Sequence, residues 1–198
     1  MNSKSHLNRS SDITTKSDSK TSQLKERLIS LLKEVQCVKF GEFVLASGKT
    51  SNYYVDIKKA TTNPKVLKTA AQLIKSYLKD ELNENIKIAG VELGSVPIAT
   101  AVSIETEKDL IIIRKKAKDY GTKNKIEGTL NKNDKVVVVE DVTTTGGSVA
   151  KAVNEIRKNG GIVKKVFVIV DRMEGAEEYL KDMGVELIPL VKVDELKN

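Results

Sequence analysis

Apolar residues recur along this chain with two different periods, and the period that holds in each stretch decides the element. Leu24, Leu28, Leu31, Leu32 and Val35 fall three or four apart, one face of an amphipathic helix ending near Gln36. Val38–Leu45 and Tyr53–Ile57 read as two short strands around the turn Ser47-Gly48-Lys49-Thr50, a small hood over residues 36–60. Asn63 before Pro64 is a helix-start signal, and Val66, Leu67, Ala70, Ala71, Leu73, Ile74, Tyr77 and Leu78 supply the apolar face that follows. Beyond it, strands are predicted at Ile86–Val91, Leu110–Ile113, Val136–Val139, Val166–Val170 and Ile188–Val191. Helices are predicted at Pro97–Ile104, Val149–Lys158 and Ala176–Met183. This alternation predicts an α/β fold, a mostly parallel central sheet with helices on both faces, in a single domain over residues 23–198. Residues 1–22 are rich in Ser, Thr, Lys, Asn and Asp, with Leu7 and Ile13 their only large aliphatic side chains after the initiator, and predict a disordered polar leader.

Composition constrains the chemistry. The 198 residues are 39% hydrophobic, enough for one good core, and the net charge of +7 points to an anionic partner: nucleic acid, a membrane surface or a polyphosphate. There is no Trp, only three Phe and no zinc-finger spacing, so nucleic acid gains little support. His6 is the only histidine and lies in the leader, which argues against Ser-His-Asp and Cys-His mechanisms and against His-ligated zinc. Cys37 is the only cysteine, so no intramolecular disulfide forms. No apolar run reaches the length of a membrane span and the start lacks the hydrophobic stretch of a signal peptide, so the expected location is the cytoplasm.

The segment VVVVEDVTTTGGS, Val136 to Ser148, concentrates the chemistry. Val136–Val139 read as a strand covered on both faces, and Glu140 and Asp141 emerge at its carboxyl end. Thr143, Thr144, Thr145, Gly146, Gly147 and Ser148 then open a helix. Its first N–H groups and the hydroxyls suit a phosphate, while the acids suit adjacent hydroxyls, the combination a ribose 5-phosphate carries. An ordinary strand-turn-helix with capping threonines and solvated acids fits the same pattern. No lysine lies between Asp141 and Ser148, which argues against a Walker A triphosphatase. Arg114, Lys115, Lys116 and Lys118 precede the polar stretch Asp119–Lys135, read as a loop: a solvated basic hairpin, or a lid whose cations stabilise a departing anion. Tyr53 and Tyr54, in a strand, point one inward and one outward. Arg172 follows the strand Val166–Val170, placed either to meet a carboxylate or carbonyl or to sit on the surface. The turn within Gly90–Ala101 is either a pyrophosphate-binding set of amides or a plain connection.

The Val136–Ser148 segment resembles the phosphoribosyl pyrophosphate (PRPP) motif of type I phosphoribosyltransferases. RKKAKDYGTKNKIEG, Arg114 to Gly128, and SGKTSNYYVDIK, Ser47 to Lys58, resemble the catalytic loop and the substrate loop of the orotate-specific members of that family, in the same order. The similarity runs from about Gln23 to the carboxyl terminus. It implies transfer of ribose 5-phosphate from PRPP to orotate, giving orotidine 5′-phosphate and pyrophosphate in pyrimidine synthesis. The Mg2+ cofactor is carried mainly by PRPP, with no direct protein ligands. It further implies a homodimer in which each loop serves the partner's site. By the same resemblance Lys118, Glu140 and Asp141 are catalytic. PRPP is held by Arg114, Lys115, Lys118, Tyr120, Glu140, Asp141, Val142, Thr143, Thr144, Thr145, Gly146, Gly147 and Ser148, and orotate by Tyr53, Tyr54, Thr144 and Arg172. Ala46, Leu93-Gly94 and Tyr120 stand where the bacterial form carries Lys, Tyr-Lys and His, and these departures resemble the archaeal form. A purine-specific transferase and a non-catalytic PRPP sensor are the rival readings of this fold.

Overall fold

The computed structural model describes residues 8–44, 50–116 and 125–197, with side chains from residue 18. The turn Ser47-Gly48-Lys49, Ala46, and the loop residues Lys118 and Tyr120 lie outside the described residues. The first helix, α1, spans Asn8–Glu34, far earlier than the apolar stripe beginning at Leu24 predicts. Asn8–Ser22, within the stretch read as a polar leader, belong to this helix. Periodicity detects only the part of a helix that buries a face, and no Gly or Pro between Asn8 and Glu34 stops the docked segment from propagating backward.

A two-stranded antiparallel hairpin, β1 (Val38–Val44) and β2 (Thr50–Val55), stands where the hood is predicted. The second strand ends two residues before the expected Ile57, which instead opens a short helix, α2 (Ile57–Thr61), and turns into the core. Helix α3 (Pro64–Tyr77) begins as its sequence predicts: Asn63 caps it, its Oδ1 accepting from Lys65 N at 2.9 Å and Val66 N at 3.3 Å.

The remaining elements are β3 (Ile86–Val91), α4 (Val96–Thr106), β4 (Leu110–Ile113), β5 (Ile126–Glu127), β6 (Lys135–Thr143), α5 (Gly147–Lys158), β7 (Ile162–Asp171), α6 (Ala176–Asp182) and β8 (Glu186–Lys192), closed by a 3-10 turn at Val193–Leu196. They build a six-stranded sheet in the order β5-β4-β3-β6-β7-β8. All its pairings are parallel except β4 with β5. Strand β5 lies inside the stretch read as loop: Ile126 is buried and pairs with Ile113, an anchor too short to show as a pattern.

Alternation along β6 separates two cores. Val137 and Val139 pack with Phe167, Leu28, Leu73 and Ile98 on one face, and Val136 and Val138 pack with Val168, Val153, Ile156 and Leu180 on the other. The chain leaves β3 for β4 on one side and returns to β6 on the other. The crevice beyond the carboxyl ends of β3 and β6 is therefore the switch point at which open α/β sheets bind ligands.

Candidate active site

Two turns flank that crevice. After β3, Ser95 is fully buried; its Oγ accepts from Val91 N at 2.6 Å and donates to Val91 O at 2.8 Å, closing the turn on itself. A side chain at Gly90 would bring its Cβ to 2.8 Å from Ala99 Cβ, so glycine sets how closely α4 packs on β3. After β6, residues Val142–Val149 line a cavity of about 250 Å³. Gly146 occupies the cap of α5 with φ +79°, a conformation that favours glycine, and no side chain caps the helix there. The first amides of α5 are thus left for a ligand, with the positive end of the helix dipole behind them. Thr144, Thr145 and Ser148 line this cradle. Thr143 is buried, and its hydroxyl donates to Asp171 Oδ1 at 3.0 Å, so its side chain ties β6 to β7.

The acids lie within β6, not beyond its end: the strand continues through Glu140, in register with Val168, to Thr143. Glu140 is 6% exposed, its Oε1 accepting from Asp141 N at 3.1 Å. Its Oε2 is buried without a partner. Burial first, and then Asp141, push its carboxyl well above the ordinary range, and Lys115 pulls the other way. Asp141 is half-buried, with Oδ1 accepting from Val142 N at 2.8 Å. Its other oxygen faces the first turn so closely that a Cβ on Gly94 would lie 1.9 Å from Oδ2. Sequence reasoning noted Gly94 as a departure but had no signal for this apposition. Gly94→Ala is therefore expected to displace the Asp141 carboxylate and raise KM for the ligand of this site on the order of tenfold, with Tm nearly unchanged because the backbone at Gly94 admits alanine. Steady-state kinetics with thermal melts check it, and an unaltered KM would break the link between Gly94 and Asp141.

Cations gather on the far side of β3. Arg114 and Lys115 follow β4 and help line a cavity of about 550 Å³ together with Lys125, Lys151 and Ser148. Arg114 N donates to Lys125 O at 2.8 Å, and Arg114 Nη1 pairs with Glu127 Oε1 at 3.2 Å while its Nε is buried without a partner. Lys115 N donates to Glu92 Oε2 at 3.1 Å, joining the root of the basic loop to the first turn. Neither Glu127 nor Glu92 was legible as a site residue, since each meets its partner across the sheet edge.

The hood brings the aromatics. Tyr53 is half-buried and reaches Arg172, whose guanidinium carbon lies 4.9 Å from the ring centroid. Tyr54 points to the other side of the ribbon, as alternation predicts, exposed and paired with Phe43 at 5.8 Å between ring centroids. Arg172 itself is aimed by Asp171, which is buried and accepts from Thr143 Oγ1 and Met173 N, and by its own N–H, which donates to Thr143 O at 3.0 Å. The structure thus brings Tyr53, Arg172, Glu140, Asp141 and Thr143–Ser148 to one edge of the sheet. Among the described residues no group of three or more His, Cys, Asp or Glu is arranged to hold a metal.

Comparison with known proteins identifies the family and the fold. Residues 56–192 match the phosphoribosyl transferase domain family. The orotate phosphoribosyltransferase of Methanococcus maripaludis is 73% identical over 173 residues, covering 87% of this chain and 94% of that protein. The crystal structure of orotate phosphoribosyltransferase from Aeropyrum pernix superposes with a TM-score of 0.75 at 35% identity, over 85% of this chain and 95% of that one. The Mycobacterium tuberculosis orotate phosphoribosyltransferase solved in complex with PRPP superposes with a TM-score of 0.72 at 28% identity, over 88% of this chain and 99% of that one.

Proposed function

The chain belongs to the phosphoribosyl transferase domain family and, within it, to the orotate phosphoribosyltransferases, and from that premise we propose how its own residues carry out the transfer. The reaction is substitution at the anomeric carbon: N1 of orotate gives up its proton to water and bonds to C1 of the ribose as the C1–oxygen bond to pyrophosphate breaks, and pyrophosphate leaves with the electron pair. The observation that carries the reading is one strand-turn-helix, β6 to α5, that presents an acid pair and a 250 Å³ phosphate cradle in succession at the switch point.

In this reading the amides and hydroxyls of Thr144–Ser148 hold the 5-phosphate, with Val142 and Thr143 shaping the turn. Glu140 and Asp141 hold the ribose hydroxyls and favour the positive charge that develops at C1. The unpartnered Glu140 Oε2 is the acceptor such a ligand would satisfy. Arg114, Lys115, Lys118 and Tyr120 face the pyrophosphate, and the turn after β3 offers it amides. Arg172 and Tyr53 meet the polar edge of orotate, with Thr144 beside them, whereas Tyr54, expected from the sequence to join them, is turned to the opposite side of the hairpin against Phe43. Mg2+ would be carried mainly by PRPP, with Glu140 and Asp141 as the carboxylates beside it, and would supply positive charge to the leaving pyrophosphate. The basic loop is proposed to act in the site of a second copy, in a homodimer. No described helix is long and apolar enough to cross a membrane, and the cytoplasm is the proposed place of work.

PRPP-dependent nucleotide formation, resolved by chromatography with orotate, uracil, hypoxanthine and adenine, tests the acceptor. Orotate is expected to give the highest kcat/KM. A purine in that place would overturn the assignment.

A further inference from the structure

A closed triangle of polar contacts surrounds the guanidinium proposed to read the base. Arg172 Nη2 pairs with Glu174 Oε1 at 2.9 Å, Arg172 Nε donates to Tyr53 Oη at 3.3 Å, and Tyr53 Oη donates to the same Glu174 oxygen at 3.1 Å. The hood and the β7 turn, 121 residues apart at Tyr53 and Glu174, are joined through it. The turn is built for this closure: Met173 takes φ +60°, rare for a non-glycine residue, and its N–H is held by Asp171 Oδ1 at 3.0 Å, which folds Glu174 back over Arg172. An exposed ion pair adds little stability, and the Glu174 side chain is 42% exposed, so holding the fold together does not account for the arrangement. It accounts for orientation. Of the five N–H donors of a guanidinium, the triangle uses one on Nε and one on Nη2, leaving Nη1 and the rest of Nη2 for a planar partner carrying adjacent acceptors.

We infer that Glu174 is a positioning residue for the acceptor base: together with Tyr53 it fixes the Arg172 guanidinium, so that the remaining edge meets the carbonyl and carboxylate oxygens of the pyrimidine. This rests on the proposed contact between Arg172 and orotate. The alternative is that Glu174 occupies the place of the substrate carboxylate and is displaced by it. The two differ in sign. Positioning makes removal of Glu174 weaken the use of orotate, whereas displacement makes removal strengthen it.

The test measures KM for orotate and for PRPP separately, with kcat and Tm, for Glu174→Ala, Glu174→Gln, Arg172→Ala and the double variant Arg172→Ala/Glu174→Ala. Glu174→Ala is expected to raise KM for orotate between about tenfold and a hundredfold, the cost of a misdirected contact. KM for PRPP and Tm are expected to stay near wild type. Glu174→Gln keeps a carbonyl acceptor for Nη2 and is expected to recover most of the loss. The double variant is expected to match Arg172→Ala alone, because Glu174 acts through that residue. An unchanged or lowered KM for orotate in Glu174→Ala, or a parallel rise in both KM values, overturns the inference while leaving the Arg172 contact standing. An unchanged KM for orotate in Arg172→Ala removes that contact and the inference with it.

Discussion

Glu140→Gln is expected to cost roughly a hundred- to thousandfold in kcat while making the protein harder to unfold at neutral pH. The rate loss follows from removing negative charge beside a carbon that becomes positive in the transition state, a loss comparable with about 2.7 to 4 kcal/mol for one preorganised electrostatic group. The stability gain follows from burial. Glu140 is almost fully buried, one of its oxygens has no partner, and its carboxyl is raised above the ordinary range chiefly by desolvation. A carboxyl whose folded value is raised binds protons in the folded state that the unfolded chain has released. Its contribution to stability is therefore lost as pH climbs from the ordinary carboxylate range through the folded value, and stays lost above it. Glutamine keeps the shape without that charge, so its Tm at neutral pH should exceed wild type, and the difference should shrink as both are acidified through that window. Melting curves across pH, beside single-turnover rates, check both halves. A variant with wild-type kcat, or one less stable than wild type at neutral pH, would show that Glu140 is not a strained acid kept for chemistry.

The same residue marks the boundary of what the sequence made legible. Val136–Val139 announce a central strand because four β-branched side chains fit nothing else so well, and the order of runs along the chain yields the parallel sheet. Glu140 to Thr143 do not announce their place in the same strand, since an acid reads as the end of a buried run. What keeps Glu140 in the ladder is its register with Val168, together with the tie from Thr143 to Asp171, all from a strand far along the chain. The turn proposed to cradle the phosphate was legible as a turn because its residues are contiguous. The partners that aim its neighbours were not: Glu127 beside Arg114, Glu92 beside the Lys115 amide, Glu174 beside Arg172 and Gly94 beside Asp141 are juxtapositions made by the sheet. Helix α1 shows the converse limit, a polar segment held helical by the stripe that follows it.

Lys118→Ala is expected to lower kcat by roughly a hundred- to thousandfold while weakening PRPP binding much less, because the charge on the bridging oxygen grows as the bond to C1 breaks. Asp141→Asn should instead damage both PRPP affinity and turnover, since that carboxylate is proposed to hold the ribose before and during the step. The two variants together test whether a site is shared between chains. The described residues flanking the basic loop are joined, where Arg114 N bonds Lys125 O and β4 pairs with β5. If it serves the second copy, mixing the two inactive proteins under conditions that allow subunit exchange should produce heterodimers with one site intact and one doubly impaired. At equal amounts and random pairing, half of the dimers are mixed and each holds one working site of two, so activity should return to roughly a quarter of wild type. Mass spectrometry of differently tagged chains verifies that exchange took place. Exchange without recovered activity would refute the shared site, and wild-type turnover by Lys118→Ala alone would remove the role proposed for that lysine.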